Sequence, residues 1–135
     1  MRIIICLDDR DGFLFNNRRQ SMDRMVHRDM VEYVSQNRLW MSNYSYKNFT
    51  VASENCHAND AYADLMQSND YCFAEDRFIL DNLQRADEII IYRWDRTYPS
   101  DVKFSAEILE NWNLVEKFDF SGYSHEKITR EVYRR

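Results

Sequence analysis

Hydrophobic residues fall along this chain in short blocks whose period changes from block to block. Ile3 to Leu7 is a continuous apolar, β-branched run, the pattern of a central strand covered on both faces. After Ser21, the residues Met22, Met25, Val26, Met30, Tyr33 and Val34 recur at spacings of three and four. That spacing predicts a helix capped by Ser21, with Arg24, His27, Arg28 and Glu32 on its other face. Arg38 to Asn43 reads as a short strand, and 59–67 as a helix turning Ala61, Tyr62, Leu65 and Met66 inward. Asp70 to Phe73 reads as another short strand. Glu75 and Asp76 then open a helix through Phe78, Ile79, Leu83 and Ala86. Glu88 to Trp94 is a further strand, and Trp112 to Phe120 alternates like an antiparallel one. His125 to Arg135 fits two templates: Ile128 and Val132 suit a helix, and together with Thr129 and Tyr133 they also suit an edge strand. The succession predicts a single α/β domain over 1–135: a mixed, mostly parallel sheet with flanking helices and an antiparallel C-terminal segment near a Gly122 turn.

Composition agrees with one domain. The 135 residues are 44% hydrophobic and 15% aromatic, enough for a core without disulfides, while 30% charge and a mean hydropathy of -0.70 imply a very polar exterior. No apolar run approaches the roughly 18 residues of a membrane helix. Asp8 and Asp9 interrupt the first apolar run where a signal peptide would continue. Cys6, Cys56 and Cys72 lack C-x-x-C spacing and point to free thiols in the cytoplasm. Only Gly12, Gly122 and Pro99 punctuate the backbone, so no linker is expected.

Charge is uneven. Arg18, Arg19, Arg24 and Arg28 cluster early, 48–76 holds six acids and no Lys or Arg, and the C-terminus is basic again. A net charge of -5 makes general nucleic-acid binding the less favoured partner class, although a local basic patch remains compatible with it.

Candidate chemistry concentrates after the first strand. Asp8, Asp9, Asp11 and Gly12 form a turn, followed by Asn16, Asn17, Arg18 and Arg19. Open α/β sheets bind ligands at the carboxyl ends of their strands, where this loop falls. Arg18 and Arg19 have the chemistry to fork onto a carboxylate or phosphate. Arg24 and Arg28 stand at i, i+4, and an anion would relieve their mutual repulsion. The plainer alternative is a turn, a capped helix, and Phe13 to Phe15 folded back on the core.

These residues carry a resemblance. "CLDDRDGFLFNNRRQSMDR", "RLWMSNYSYKNF", "YCFAEDRFILDNLQRADEIIIYR" and "DVKFSAEILENWNLVEKFDFSGYSHEKITREVY" fall in the order and spacing of the dihydrofolate reductase family, and the chain resembles a shortened member of it. The resemblance implies that family's fold, and it implies sites. Asp23 would inherit the catalytic carboxylate, and Ser45 keeps a hydroxyl where the family has Thr. The departures imply loss of NADPH-dependent hydride transfer, so no cofactor is expected. Ala74 and Glu75 replace the paired glycines that let backbone touch the cofactor pyrophosphate, and Asp76 follows. Ser42 and Asn43 replace the Gly-Arg that receives the extra phosphate. The chain is also similar to short bacterial proteins that have been labelled ribonuclease Z, but the His-x-His-x-Asp-His signature of that chemistry is missing.

Weaker constellations remain. Cys56 and His57 are adjacent and should point apart. Ser124, His125 and Glu126 have the letters of a triad, but their adjacency suits a polar turn. Tyr92, Trp94, Arg96 and Tyr98 have the composition of interface anchors or base-stacking groups. The favoured reading is a non-catalytic interaction or regulatory protein with a protein partner. The alternatives are a binder or enzyme for a small anion, nucleotide or pterin-like, at Gly12, Arg18, Arg19, Asp23, Arg24, Arg28 and Ser45, or a nucleic-acid-binding protein.

Overall fold

Ile3, Ile5 and Leu7 face one side of a central sheet while Ile4 and Cys6 face the other, and both sides are buried. The computed structural model, which describes every residue from Met1 to Arg135, places these side chains on β1 (Arg2–Leu7). The other strands are β2 (Gly12–Phe15), β3 (Arg18–Arg19), β4 (Leu39–Met41), β5 (Cys56–Ala58), β6 (Tyr71–Phe73), β7 (Glu88–Arg93), β8 (Val102–Lys103), β9 (Asn113–Phe120) and β10 (Ile128–Arg134). The helices are α1 (Arg24–Val34), α2 (Asn43–Lys47), α3 (Tyr62–Leu65) and α4 (Phe78–Asn82).

The main sheet has the order β5-β4-β6-β1-β7-β10-β9. From β5 to β7 the neighbours are parallel, and β10 and β9 each run antiparallel to the strand before them in that order. A smaller antiparallel sheet, β3-β2-β8, lies beyond the carboxyl end of β1. On one face of the main sheet, Val26, Met30 and Val34 of α1 pack on Ile4, Phe73, Ile90 and Val132. On the other, Ile79 and Leu83 pack with Ile3, Ile5, Ile89 and Ile91. Burial on both faces is what the unbroken isoleucine runs encode.

Several expectations are corrected. The last segment is neither a helix nor an edge strand: β10 lies inside the sheet, and β9 is the edge. Residues at i and i+4 share a face in helices and strands alike, so Ile128 and Val132 carried no discrimination. Ser21 does not cap α1. Asp23 does, accepting from the Met25 amide at 2.8 Å, and Met22 is left 39% exposed. The expected 59–67 helix shrinks to the single turn α3, whose cap position Ala61 offers no side-chain acceptor, and Leu65 is exposed. The expected strand from Arg38 stops at Met41, because Ser42 accepts from the Ser45 amide and starts α2.

Candidate functional site

The turn after β1 is organised by a buried carboxylate. Asp8 accepts from the amides of Arg10 (2.8 Å), Gly12 (2.8 Å) and Tyr98 (3.0 Å) and from Gln20 Nε2 (3.0 Å). Burial works to raise its pKa, but these donors together hold it below the ordinary carboxylate value. Gly12 is required by proximity: a Cβ there would stand 2.8 Å from Asp8 Oδ2 and 2.6 Å from Gln20 Nε2. It makes room for an aspartate side chain.

Beyond Gly12 the loop is a β-hairpin. Asn16 and Asn17 take φ of 52° and 60°, the left-handed pair that a two-residue type I′ turn demands and asparagine tolerates. The returning strand β3 turns Arg18 outward and lays Arg19 into the cleft at the carboxyl ends of β1 and β6. Arg19 Nε donates to Glu75 Oε2 at 2.8 Å, and its guanidinium lies on the Tyr44 ring, 4.2 Å from the centroid. Glu75 is buried, and the Ser45 hydroxyl lies near enough to favour its charged form. Burial raises the Glu75 pKa, with Arg19 and Ser45 pulling the other way. Cys6, Leu14, Arg19, Ser21, Glu75 and Trp94 leave between them a cavity of about 10 Å³, room for one water-sized group.

Asp23 sits deeper, at the N-terminus of α1. It accepts from the amides of Met25, Tyr123 and Ser124, from the Ser124 hydroxyl, and from His125 Nδ1 at 2.9 Å. Burial opposes ionisation, yet these donors hold the carboxyl far below its usual range. An ionised Asp23 favours a proton on His125 Nδ1, and His125 Nε2 lies 2.8 Å from Tyr98 Oη and 3.2 Å from Ser21 Oγ. The Ser21–His125–Asp23 order is that of a hydrolase triad. Here, however, His125 is buried, stacked on Trp94 at 4.7 Å, and engaged by the phenol, so the chain of bonds ties the 121–126 turn to α1. Gly122 serves this arrangement, since a Cβ there would meet Asp23 Oδ2 at 2.8 Å.

The sequence-derived site therefore divides into separate places. Arg19 is paired with Glu75, with Ser45 nearby, Asp23 is enclosed with His125, and Gly12 abuts Asp8. Arg24 and Arg28 lie on the outer face of α1: Arg24 stacks on Tyr123 at 4.1 Å and Arg28 reaches Glu32 at 3.4 Å. With Met25, Thr50 and Val51 these two arginines line a shallow recess of about 450 Å³. The expected interface group is corrected. Tyr92 is fully buried, its hydroxyl donating to Asp29 at 2.6 Å, and Trp94 is 3% exposed. Tyr92 on β7 and Trp94 just past it both pack into the core beneath α1, and only Arg96 of the four is exposed. Cys56 and His57 fall on β5 and alternate, His57 lying against Trp40. Sequence reasoning missed His125 as the partner of Asp23, although the Ser-His pair before the last strand was visible.

No protein-family model matches this sequence, and no curated protein matches it. Among solved structures the chain is similar to a dihydrofolate reductase from Enterococcus faecalis, described as complexed with NADP(H) and RAB-propyl. The likeness has a TM-score of 0.67 at 12% identity and covers 99% of this chain and 95% of that one, so the fold is that of dihydrofolate reductase.

Proposed function

We propose that this protein is a non-catalytic interaction or regulatory module on a dihydrofolate reductase-like fold, without NADPH-dependent reductase activity. The observation that carries this reading is the Arg19–Glu75 pair. A reductase cleft at this place must admit an anionic dinucleotide, and here a buried carboxylate with its own arginine fills it. Asp23, the carboxyl most nearly placed for catalysis, is wholly enclosed. What the molecule offers instead is surface. Exposed Met22, Phe118 and Tyr123, the last stacked under Arg24, are residue types that dominate protein contacts, and they support a protein partner. Three free cysteines suit a cytoplasmic location, and no helix is long and apolar enough to cross a membrane.

The test is thermal unfolding with NADPH, NADP+, dihydrofolate and a nucleotide panel, together with an assay of NADPH oxidation. The expected result is an unchanged Tm and no turnover; a rise of several degrees with any dinucleotide overturns the reading. A second reading, a binder of small anions, is favoured by one feature: Arg24 and Arg28 side by side at the recess beside Thr50. Stabilisation by inorganic phosphate that disappears in Arg28→Ala would support it.

A further inference from the structure

β9 ends the seven-stranded sheet, and its outer edge faces away from the fold. Seven of its eight residues are exposed, with Leu114, Val115 and Phe118 each about half exposed at 49%, 49% and 48%. A long exposed edge is a template for another strand, and folded proteins ordinarily blunt one with a bulge or a lysine. Both devices are here, but neither closes the edge. The bulge falls at Val115, where the ladder skips from Glu116 to Leu114, and the stretch from Glu116 to Phe120 runs in regular register against Val132 to Ile128. The lysine is Lys117, and it lies two residues from Asp119 on the same face.

We infer that the occupant of this edge is a second copy of the chain, paired antiparallel with β9 about a two-fold axis at Phe118. In that register Lys117 faces the partner's Asp119, Asp119 faces the partner's Lys117, and Phe118 faces its own counterpart on the opposite sheet face. Directly opposed residues of an antiparallel pair share a face, with Cβ atoms about 5 Å apart, so an axis through the sheet must pass through a residue position. Centring on Lys117 opposes two lysines, on Asp119 two aspartates, and on Glu116 two glutamates. Within this charged stretch Phe118 is the position that joins opposite charges, which makes the edge self-complementary and hostile to generic strands.

The groups are held for this contact. Glu131, the neighbour of Lys117 on β10, is bonded to Arg93 at 3.1 Å, so Lys117 faces outward without it. Phe118 is stacked on Phe120 at 6.1 Å and covered by the Arg130 guanidinium at 5.1 Å, which fixes its ring on the surface. Glu116 is neutralised by Arg130. A five-residue strand pair is at the low end of interface size, so the dimer should dissociate on dilution. This inference rests on the interaction reading and names its partner. Thermal shifts by dinucleotides would overturn that reading, whereas the following measurement bears on the dimer alone.

Sedimentation equilibrium of the full chain, with circular dichroism to confirm folding, tests it. The wild type should show a reversible monomer–dimer equilibrium. Lys117→Asp and Asp119→Lys should each weaken it about tenfold or more, because both opposed positions then carry like charges. An equimolar mixture of the two variants should dimerise again, since every cross-strand pair once more joins opposite charges. A wild type that stays at its monomer mass of 16.5 kDa at concentrations on the order of 1 mM overturns the inference. So does dimerisation indifferent to both reversals, or a mixture that remains monomeric.

Discussion

Arg19 Nε lies 2.8 Å from Glu75 Oε2, joining a hairpin at the start of the chain to the end of β6 across the cleft. Their side chains are 15% and 7% exposed, so neither charge is well solvated if left alone. Breaking a buried pair strands one desolvated charge, whereas replacing both partners removes the demand. Glu75→Gln should therefore lower stability by about 2–3 kcal/mol. The double replacement Arg19→Met/Glu75→Leu should recover most of that loss. Urea unfolding of the two variants and the wild type, completed with Arg19→Met as a double-mutant cycle, measures the coupling. Additive effects would show that the pair does not act as a unit.

The chain's two glycines stand in the same relation to two buried aspartates: Gly12 against Asp8 and Gly122 against Asp23. At Gly122 the Cβ of an alanine would stand 2.8 Å from Asp23 Oδ2 and 2.7 Å from the His125 carbonyl oxygen, closer than real Cβ contacts come. Neither neighbour is free to yield, because Asp23 caps α1 and accepts from Tyr123, Ser124 and His125 at once. Gly122→Ala should cost about 1–3 kcal/mol by overpacking. Hydrogen exchange should quicken at the amides of Met25, Tyr123 and Ser124, which bond Asp23. Unchanged protection at all three would mean that the aspartate had not moved.

These relations explain what could be read from the sequence. Ile3 to Leu7 and Glu88 to Trp94 were legible because strands buried on both faces need unbroken apolar runs. The order of elements sufficed for the reductase resemblance. Ser21 and Asp23 are both good caps two positions apart, and the choice between them is made by Tyr123, Ser124 and His125, about a hundred positions away in the chain. The Arg19–Glu75 contact joins residues 56 positions apart, so each was visible as a charge but their meeting was not. Tyr92 and Trp94 share a composition with surface anchors, and composition does not say which way a strand residue points. Helix α2 and strand β5 are short enough to depend on neighbours rather than on a period of their own.

His27 supplies a pH dependence that can be worked out from its surroundings. The ring is buried on α1, stacked on Phe49 at 4.3 Å, and its Nδ1 accepts from the Thr50 amide at 3.2 Å. Burial first, and the nearby Arg19 charge second, depress its pKa from 6.5 to about 4, while Asp23 opposes them. The neutral form is therefore native, and the unfolded chain binds the proton more readily at acidic pH. The contribution of His27 to stability is fully present above pH 6.5 and is lost as pH falls from there toward 4. Linkage puts the loss between about pH 7 and pH 5 near 2 kcal/mol. Asp23 and Asp8 titrate below that window, whereas burial raises the pKa of Glu75 and Asp76, whose proton uptake on acidification works against the His27 loss. Urea unfolding of the wild type and of His27→Gln, which keeps an acceptor for Thr50 but does not titrate, should differ by that loss between the two pH values, since the carboxylates contribute equally to both proteins. An equal slope in the two proteins would place the acid sensitivity elsewhere.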